Sequence, residues 1–310
     1  EQLTSLARTC SGIGDAIPTV LTMTVVPILG AGSSMADYRI GFKWWALIIA
    51  VVFVISELVC VACVPERPVA CDEKPGKISD MFKALFKNDQ AMTVVVSIIL
   101  VYTSLNICGN LVLYFFRFDV GNEGAYSIFA AVAFAAQVLV MMVIPLLRKR
   151  FSKSQLFISG FIIQIAGFAV ILIMAFAKLY TPQSWYILCL PGILIYLGYG
   201  MLNVIMTIFL SDSVDYGEVM NGTREESVIF SMQTFTVKLA SGVAVFLAGL
   251  VVDWIHLDTA AAVQTQDTLD ALRMWMTIPS VILLIVGIFV FKRFYKLDDT
   301  RMEEIKSKLN

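Results

Sequence analysis

The sequence is poor in charge and in the residue types that carry acid–base chemistry. Of its 310 residues only 15% are Asp, Glu, Lys or Arg, and histidine occurs once, at His256; an ordinary soluble domain carries about 25% charged residues. The 23 basic and 24 acidic side chains sum to a net charge of −1, so no bulk field draws nucleic acid or acidic ligands. There is no G-x-x-x-x-G-K-[ST] loop, which excludes ATP as a direct energy source through that motif. The chain opens at Glu1 with EQLTSLARTC, without an initiator Met or a basic-then-apolar leader, as a fragment or processed chain would. The six cysteines, Cys10, Cys60, Cys63, Cys71, Cys108 and Cys189, fall mostly in apolar stretches. Free thiols are expected there, not a disulfide framework or a zinc site, and Cys60-x-x-Cys63 lacks the βαβ context of a redox motif.

Apolar residues are what the sequence has in excess, at 58% with a mean hydropathy of +0.81. A membrane-crossing helix needs about 20 of them in a row. Eight such stretches run over residues 9–32, 43–64, 91–116, 125–147, 155–177, 185–210, 227–254 and 274–291, which excludes a cytosolic enzyme with one anchor. They lack the alternation of a barrel, so an all-α membrane protein is expected. Arg8, the segment 65–90, the run Arg148 to Lys153, Arg224 and the tail from Lys292 together hold 17 basic residues, while the alternate loops hold five: Arg39, Lys43, Arg117, Lys178 and Arg273. This asymmetry predicts that both termini are cytoplasmic.

The longest polar stretch, 65–90, separates two spans from six. In it Ile78, Met81, Phe82, Leu85 and Phe86 repeat at helical spacing with Asp80, Lys83 and Lys87 on the other face, as in an amphipathic helix lying on the cytoplasmic surface. The implied organisation is 1–64 as the last two helices of an amino-terminal bundle, 65–90 as a linker, 91–293 as a six-helix carboxyl-terminal bundle and 294–310 as a cytoplasmic tail. That is the pattern of a membrane fold made of two six-helix halves.

Polar side chains at membrane depth mark the candidate site. Ser227, Ser231, Thr234, Lys238 and Ser241 are spaced 4, 3, 4 and 3, which puts them on one stripe of a helix. A lysine at mid-span costs about 2.5–3.5 kcal/mol even on insertion scales, so Lys238 is expected to be paired or solvated. The only acids in other spans are Asp15 and Glu57, which suggests a partner outside this chain. Thr103, Asn106, Asn110 and Arg117 form a weaker stripe, for which interhelical hydrogen bonding is an equal reading. Pro191, Gly192, Gly198 and Gly200 ahead of Asn203 allow close packing or a bend. The Ala240, Ala244, Ala248 ridge reads as packing, Gln137 and Gln164 as helix-to-helix hydrogen bonding, and His256 as a surface residue. Arg8 and Asp15, seven apart, share a face of the first helix, and by position alone Arg8 is an ordinary cytoplasmic anchor.

The segment SDSVDYGEVMNGTREESVIFSMQTFTVKLA, from Ser211 to Ala240, resembles the signature of the glycoside-pentoside-hexuronide:cation symporters, the family of melibiose-type carriers. That signature runs D-x-V-D-Y-G-E, then G-x-R, then Q-T-x-x-x-K. EQLTSLAR at the start, the YFFRFDVGN run from Tyr114 to Asn122 and the tail from Tyr295 to Leu309 resemble further family segments. The resemblance implies a major facilitator superfamily fold of which this chain supplies the last eight of twelve transmembrane helices. It implies cation-coupled symport of a sugar or glycoside by alternating access, with sodium or a proton as coupling ion, no cofactor and no covalent chemistry. The setting it implies is multi-pass, in a bacterial inner or plasma membrane. Arg8 falls on a sugar-site arginine, and Lys238, with Thr234 and Gln233 beside it, on positions near the family's cation site. Asn203 stands where melibiose-type carriers have an aromatic residue, so a different sugar contact is expected there.

The loop residues Asp212, Asp215, Glu218 and Arg224 are read as gating ion pairs that close one face and release when it opens. A transporter-like protein for another solute or a lipid is the alternative. Gly12-Ile13-Gly14-Asp15 also spells the G-x-G-D of intramembrane aspartyl proteases, but the Tyr-Asp pair that such enzymes require does not occur.

Overall fold

The computed structural model describes residues 2–32, 35–63, 86–222, 224, 226–259, 261 and 263–309. Among them the ordered elements are α1 (Gln2–Gly30), α2 (Met35–Cys63), α3 (Asp89–Tyr114), α4 (Ala125–Leu147), α5 (Lys153–Phe176), α6 (Cys189–Asn221), α7 (Glu226–Trp254), α8 (Gln266–Phe294) and α9 (Asp299–Leu309). A π-helical turn, Phe115–Val120, extends α3, and a 3₁₀ turn, Trp185–Leu188, leads into α6. No strand occurs among the described residues. Seven helices, α2 to α8, are long and apolar enough to cross a membrane; α1, whose side chains at Asp15, Thr19, Val20 and Met23 lie outside the description, is not one of the seven. Most of the amphipathic segment expected at 78–86 likewise falls outside the described residues.

The chain divides into two compact units, Glu1–Gly12 with Ile78–Asn310, and Ile13–Lys77. Within the smaller unit Trp45 Nε1 donates to Thr22 Oγ1 at 2.8 Å, and Glu57 is exposed. In the larger unit α3 and α6 form the centre. Of their most apolar stretches 67% and 78% are buried, against 28% for α7. α3 packs on α7 and α8, and α6 on α4 and α5.

Local sequence explains where these helices start and how closely they meet. Asn88, Ser152 and Thr265 cap α3, α5 and α8, and Ser152 with Gln155 completes a capping box, so orphan N–H groups at the helix starts are satisfied. At the α5–α6 contact a Cβ on Gly198 would stand 2.5 Å from the Gly160 carbonyl oxygen. Small residues thus let the two backbones meet where lipid offers no hydrophobic drive between helices, and Gly198 serves close packing. Gly198→Val should therefore force α5 and α6 apart, at about 1–3 kcal/mol or more. Thermal unfolding in detergent reads this as a lowered midpoint; a midpoint equal to the parent's would refute the close-packing role. The alanine ridge on α7 is buried as expected, with Ala240, Ala244 and Ala248 at 1%, 0% and 5% exposure.

Candidate polar site of the bundle

A hydrogen-bonded cluster joins the start of α1 to α3, α6 and α7. α6 presents Tyr199, Asn203 and Thr207 at spacings of four, hence on one stripe. Arg8 Nε donates to Thr207 Oγ1 at 2.9 Å, and Gln233 Nε2 reaches the same hydroxyl at 3.4 Å. Thr207 passes its own proton to the Asn203 carbonyl at 3.1 Å. The Asn203 amide donates to Tyr102 Oη at 2.7 Å and Tyr199 Oη at 3.4 Å. The two tyrosine rings meet edge to face, 5.5 Å apart. Asn203 is 8% exposed, and its Oδ1 has no hydrogen-bond partner among the described residues. The cluster offers a forked cation, two amides, a threonine hydroxyl and two phenols, a set suited to a ligand covered in hydroxyl groups.

Of the residues expected at a substrate site, the structure brings Arg8, Asn203 and Gln233 into this one network. Thr234 and Lys238 are exposed, as are Ser227 and Ser231. Thr234 bonds only to the Phe230 carbonyl of its own helix, at 3.3 Å, and Lys238 has no ion pair among the described residues. Thr207, Tyr102 and Tyr199 were not singled out by sequence reasoning. The 4-residue spacing of Tyr199, Asn203 and Thr207 was the signal that could have found them. On α3 the Asn106 and Asn110 amides donate to the Tyr102 and Asn106 carbonyls, each at 2.7 Å. They bond along their own helix instead of to a neighbour. The expected bonding by the buried glutamines is likewise not realised, because Gln137 Oε1 and both amide atoms of Gln164 lack partners among the described residues.

The group expected to gate is divided in two by the structure. Asp212 is buried in an ion pair with Lys153 at 2.5 Å, with side-chain exposures of 6% and 7%, and Lys153 also meets Asp299 at 3.5 Å. Asp299 accepts in addition from Arg148 at 3.3 Å, so that α9 is tied to the end of α4 through Arg148 and to the start of α5 through Lys153. Arg224 instead bonds Glu218 at 2.7 Å, Asp215 at 3.1 Å and Glu226 at 3.2 Å. Gly222 permits this turn by ending α6 at φ +73, a conformation open to glycine without a Cβ penalty. The Glu218 hydrogen bond raises the Arg224 pKa, burial opposes it, and Asp215 and Glu226 add to the rise.

A second buried network was not foreseen. Arg273, which sequence reasoning counted among loop charges, grips Asp119 of the π-helical turn through two bonds, at 2.5 and 2.8 Å, with both side chains under 5% exposed. Tyr180 donates to the same carboxylate at 2.5 Å, and Asp270 accepts from Arg273 at 2.7 Å. Burial, followed by the Asp119 hydrogen bond and charge, raises the Tyr180 pKa against the opposing pull of Arg273.

Six apolar spans with a buried polar network among them in the larger unit, and a seventh span in the smaller one, define a multi-pass helical membrane protein. The chain belongs to the family described as MFS/sugar transport protein, which matches residues 1–299. It is 24% identical to a raffinose carrier protein of Pediococcus pentosaceus over 100% of this chain and 48% of the relative. It is 24% identical to an isoprimeverose transporter of Lactiplantibacillus pentosus over 96% of this chain and 60% of the relative. A lactose permease of Lactobacillus delbrueckii is 23% identical over 100% of this chain and 49% of its own length. The chain thus spans about half to three fifths of the curated relatives it matches. The all-α membrane class and the major facilitator fold expected from the sequence hold.

Proposed function

We propose that the protein works as a secondary active transporter, moving a sugar or glycoside by alternating access and coupling it to a sodium ion or a proton. The proposed setting is the cell membrane, with both termini cytoplasmic. The carrying observation is the network of Arg8, Thr207, Gln233 and Asn203 within the bundle: hydrogen-bonding groups are costly at membrane depth and mark substrate pathways when retained there. The relatives' names, carriers of raffinose, isoprimeverose and lactose, support a sugar as the class of substrate. In this reading Arg8, Asn203 and Gln233 bind sugar, and Thr234 and Lys238 line the side where the cation is coupled. The ion pairs of Asp212, and of Asp215 and Glu218 with Arg224, form and break as the cytoplasmic face closes and opens.

Uptake of radiolabelled sugar under an imposed sodium or proton gradient tests the reading, and accumulation should collapse with an ionophore. Arg8→Lys keeps the charge and loses the planar fork, so sugar affinity should fall about tenfold while membrane insertion persists, one charged hydrogen bond being worth roughly 1.5–3 kcal/mol. An unchanged affinity would return Arg8 to the role of an anchor.

A further inference from the structure

Beyond the central cluster, α3 and α7 flank an open groove of about 540 Å³ lined by Asn110, Tyr114 and Asp253, with Val245, Ala248 and Val252 among its apolar walls. Two independent stripes lead to it. On α3, Tyr102 of the central cluster is followed by Asn106, Asn110 and Tyr114 at steps of four, so amides and rings continue along one face. On α7, the 4-3-4-3 seam from Ser227 through Lys238 to Ser241 continues, at steps of 4, 3 and 4, to Val245, Ala248 and Val252. At 1.5 Å per residue, Asn110 stands about 12 Å along the helix from Tyr102, farther than one pyranose ring extends.

We propose that this groove is a second sugar subsite, holding the distal ring or rings of a neutral di- or trisaccharide whose first ring sits at the Arg8–Thr207–Asn203 cluster. The inference rests on the sugar-transport reading above and adds a second site to it. The chemistry of the lining selects the occupant. Asn110 uses one amide hydrogen on its own helix, leaving an Oδ1 acceptor and a second N–H for hydroxyl groups. Asp253 accepts from hydroxyls, and Tyr114 supplies a phenol and an apolar ring face. The lining holds one carboxylate and no basic residue, so an anionic sugar is disfavoured in the groove by charge. With both termini cytoplasmic, the C-terminal ends of α3 and α7 lie at the outer side, where an oligosaccharide arriving from outside first meets the protein.

The test compares binding of galactose, lactose and raffinose to the detergent-solubilised protein carrying Asn110→Ala or Asp253→Asn. Each variant should weaken raffinose by about tenfold, the loss of one to two hydrogen bonds, and leave galactose unchanged. A parent that binds galactose but gains nothing from the added rings would overturn the subsite. So would variants that weaken all three sugars equally or none of them. If the parent binds no sugar, the transport reading itself falls, an outcome distinct from a parent that binds sugars without a difference in the variants. Thermal unfolding of both variants should match the parent, because Asp253 is exposed and Asn110 half-buried.

Discussion

Asp119→Ala should be the most destabilising single substitution in the larger unit. It removes the carboxylate that takes two bonds from Arg273 and one from Tyr180, and leaves a guanidinium 3% exposed with Asp270 as its remaining ion-pair partner among the described residues. Breaking a buried pair from one side costs about 3–5 kcal/mol, because the remaining charge is desolvated without compensation. The π-helical turn Phe115–Val120 would lose its tie to α8 at the same time. Thermal unfolding in detergent should show a large drop in midpoint for Asp119→Ala. The double replacement Asp119→Leu with Arg273→Met should recover much of it, since apolar residues of similar volume often substitute for a buried pair at little net loss. A single mutant that melts with the parent would show that the pair contributes nothing to the fold.

That network also shows where reading the sequence stops. The helices were legible because twenty apolar residues in a row admit few other structures in lipid. Their ends were less so. The third membrane stretch was expected to stop at residue 116, since Arg117 and Asp119 look like the first solvated charges, yet the helical backbone continues to Val120. What carries it on is a charge 154 residues away, and no spacing rule relates positions on different helices. The same holds for Lys153 and Asp212, 59 residues apart. The site was legible in part. Arg8 and Gln233 could be chosen only through the family signature, because an arginine at a helix start reads as an anchor. Thr207 went unread because a lone threonine in an apolar helix usually bonds its own backbone. It does so here, to Asn203, while also accepting from Arg8 and Gln233.

Lys238→Ala should abolish concentrative uptake while leaving the protein folded. On α7 the buried face carries Gln233 and Thr236 and the small residues Ala240, Ala244 and Ala248, while Ser227, Ser231, Thr234 and Lys238 stand exposed on the polar seam. Lys238 therefore contributes little packing, and its removal should not move the thermal midpoint. Retaining a cation at mid-span carries a penalty of about 2.5–3.5 kcal/mol against insertion, which makes a purely ornamental lysine there hard to sustain. On the proposed reading, a positive charge on the seam beside the Arg8–Thr207–Asn203 cluster would repel a coupling cation bound nearby, and that repulsion would link occupancy of one site to the other. Without it, sugar should equilibrate across the membrane but no longer rise above its external concentration under a sodium or proton gradient. Sugar exchange between two equal pools, which needs no gradient, should persist. Normal gradient-driven accumulation by Lys238→Ala would separate this lysine from coupling and assign the seam to hydration alone.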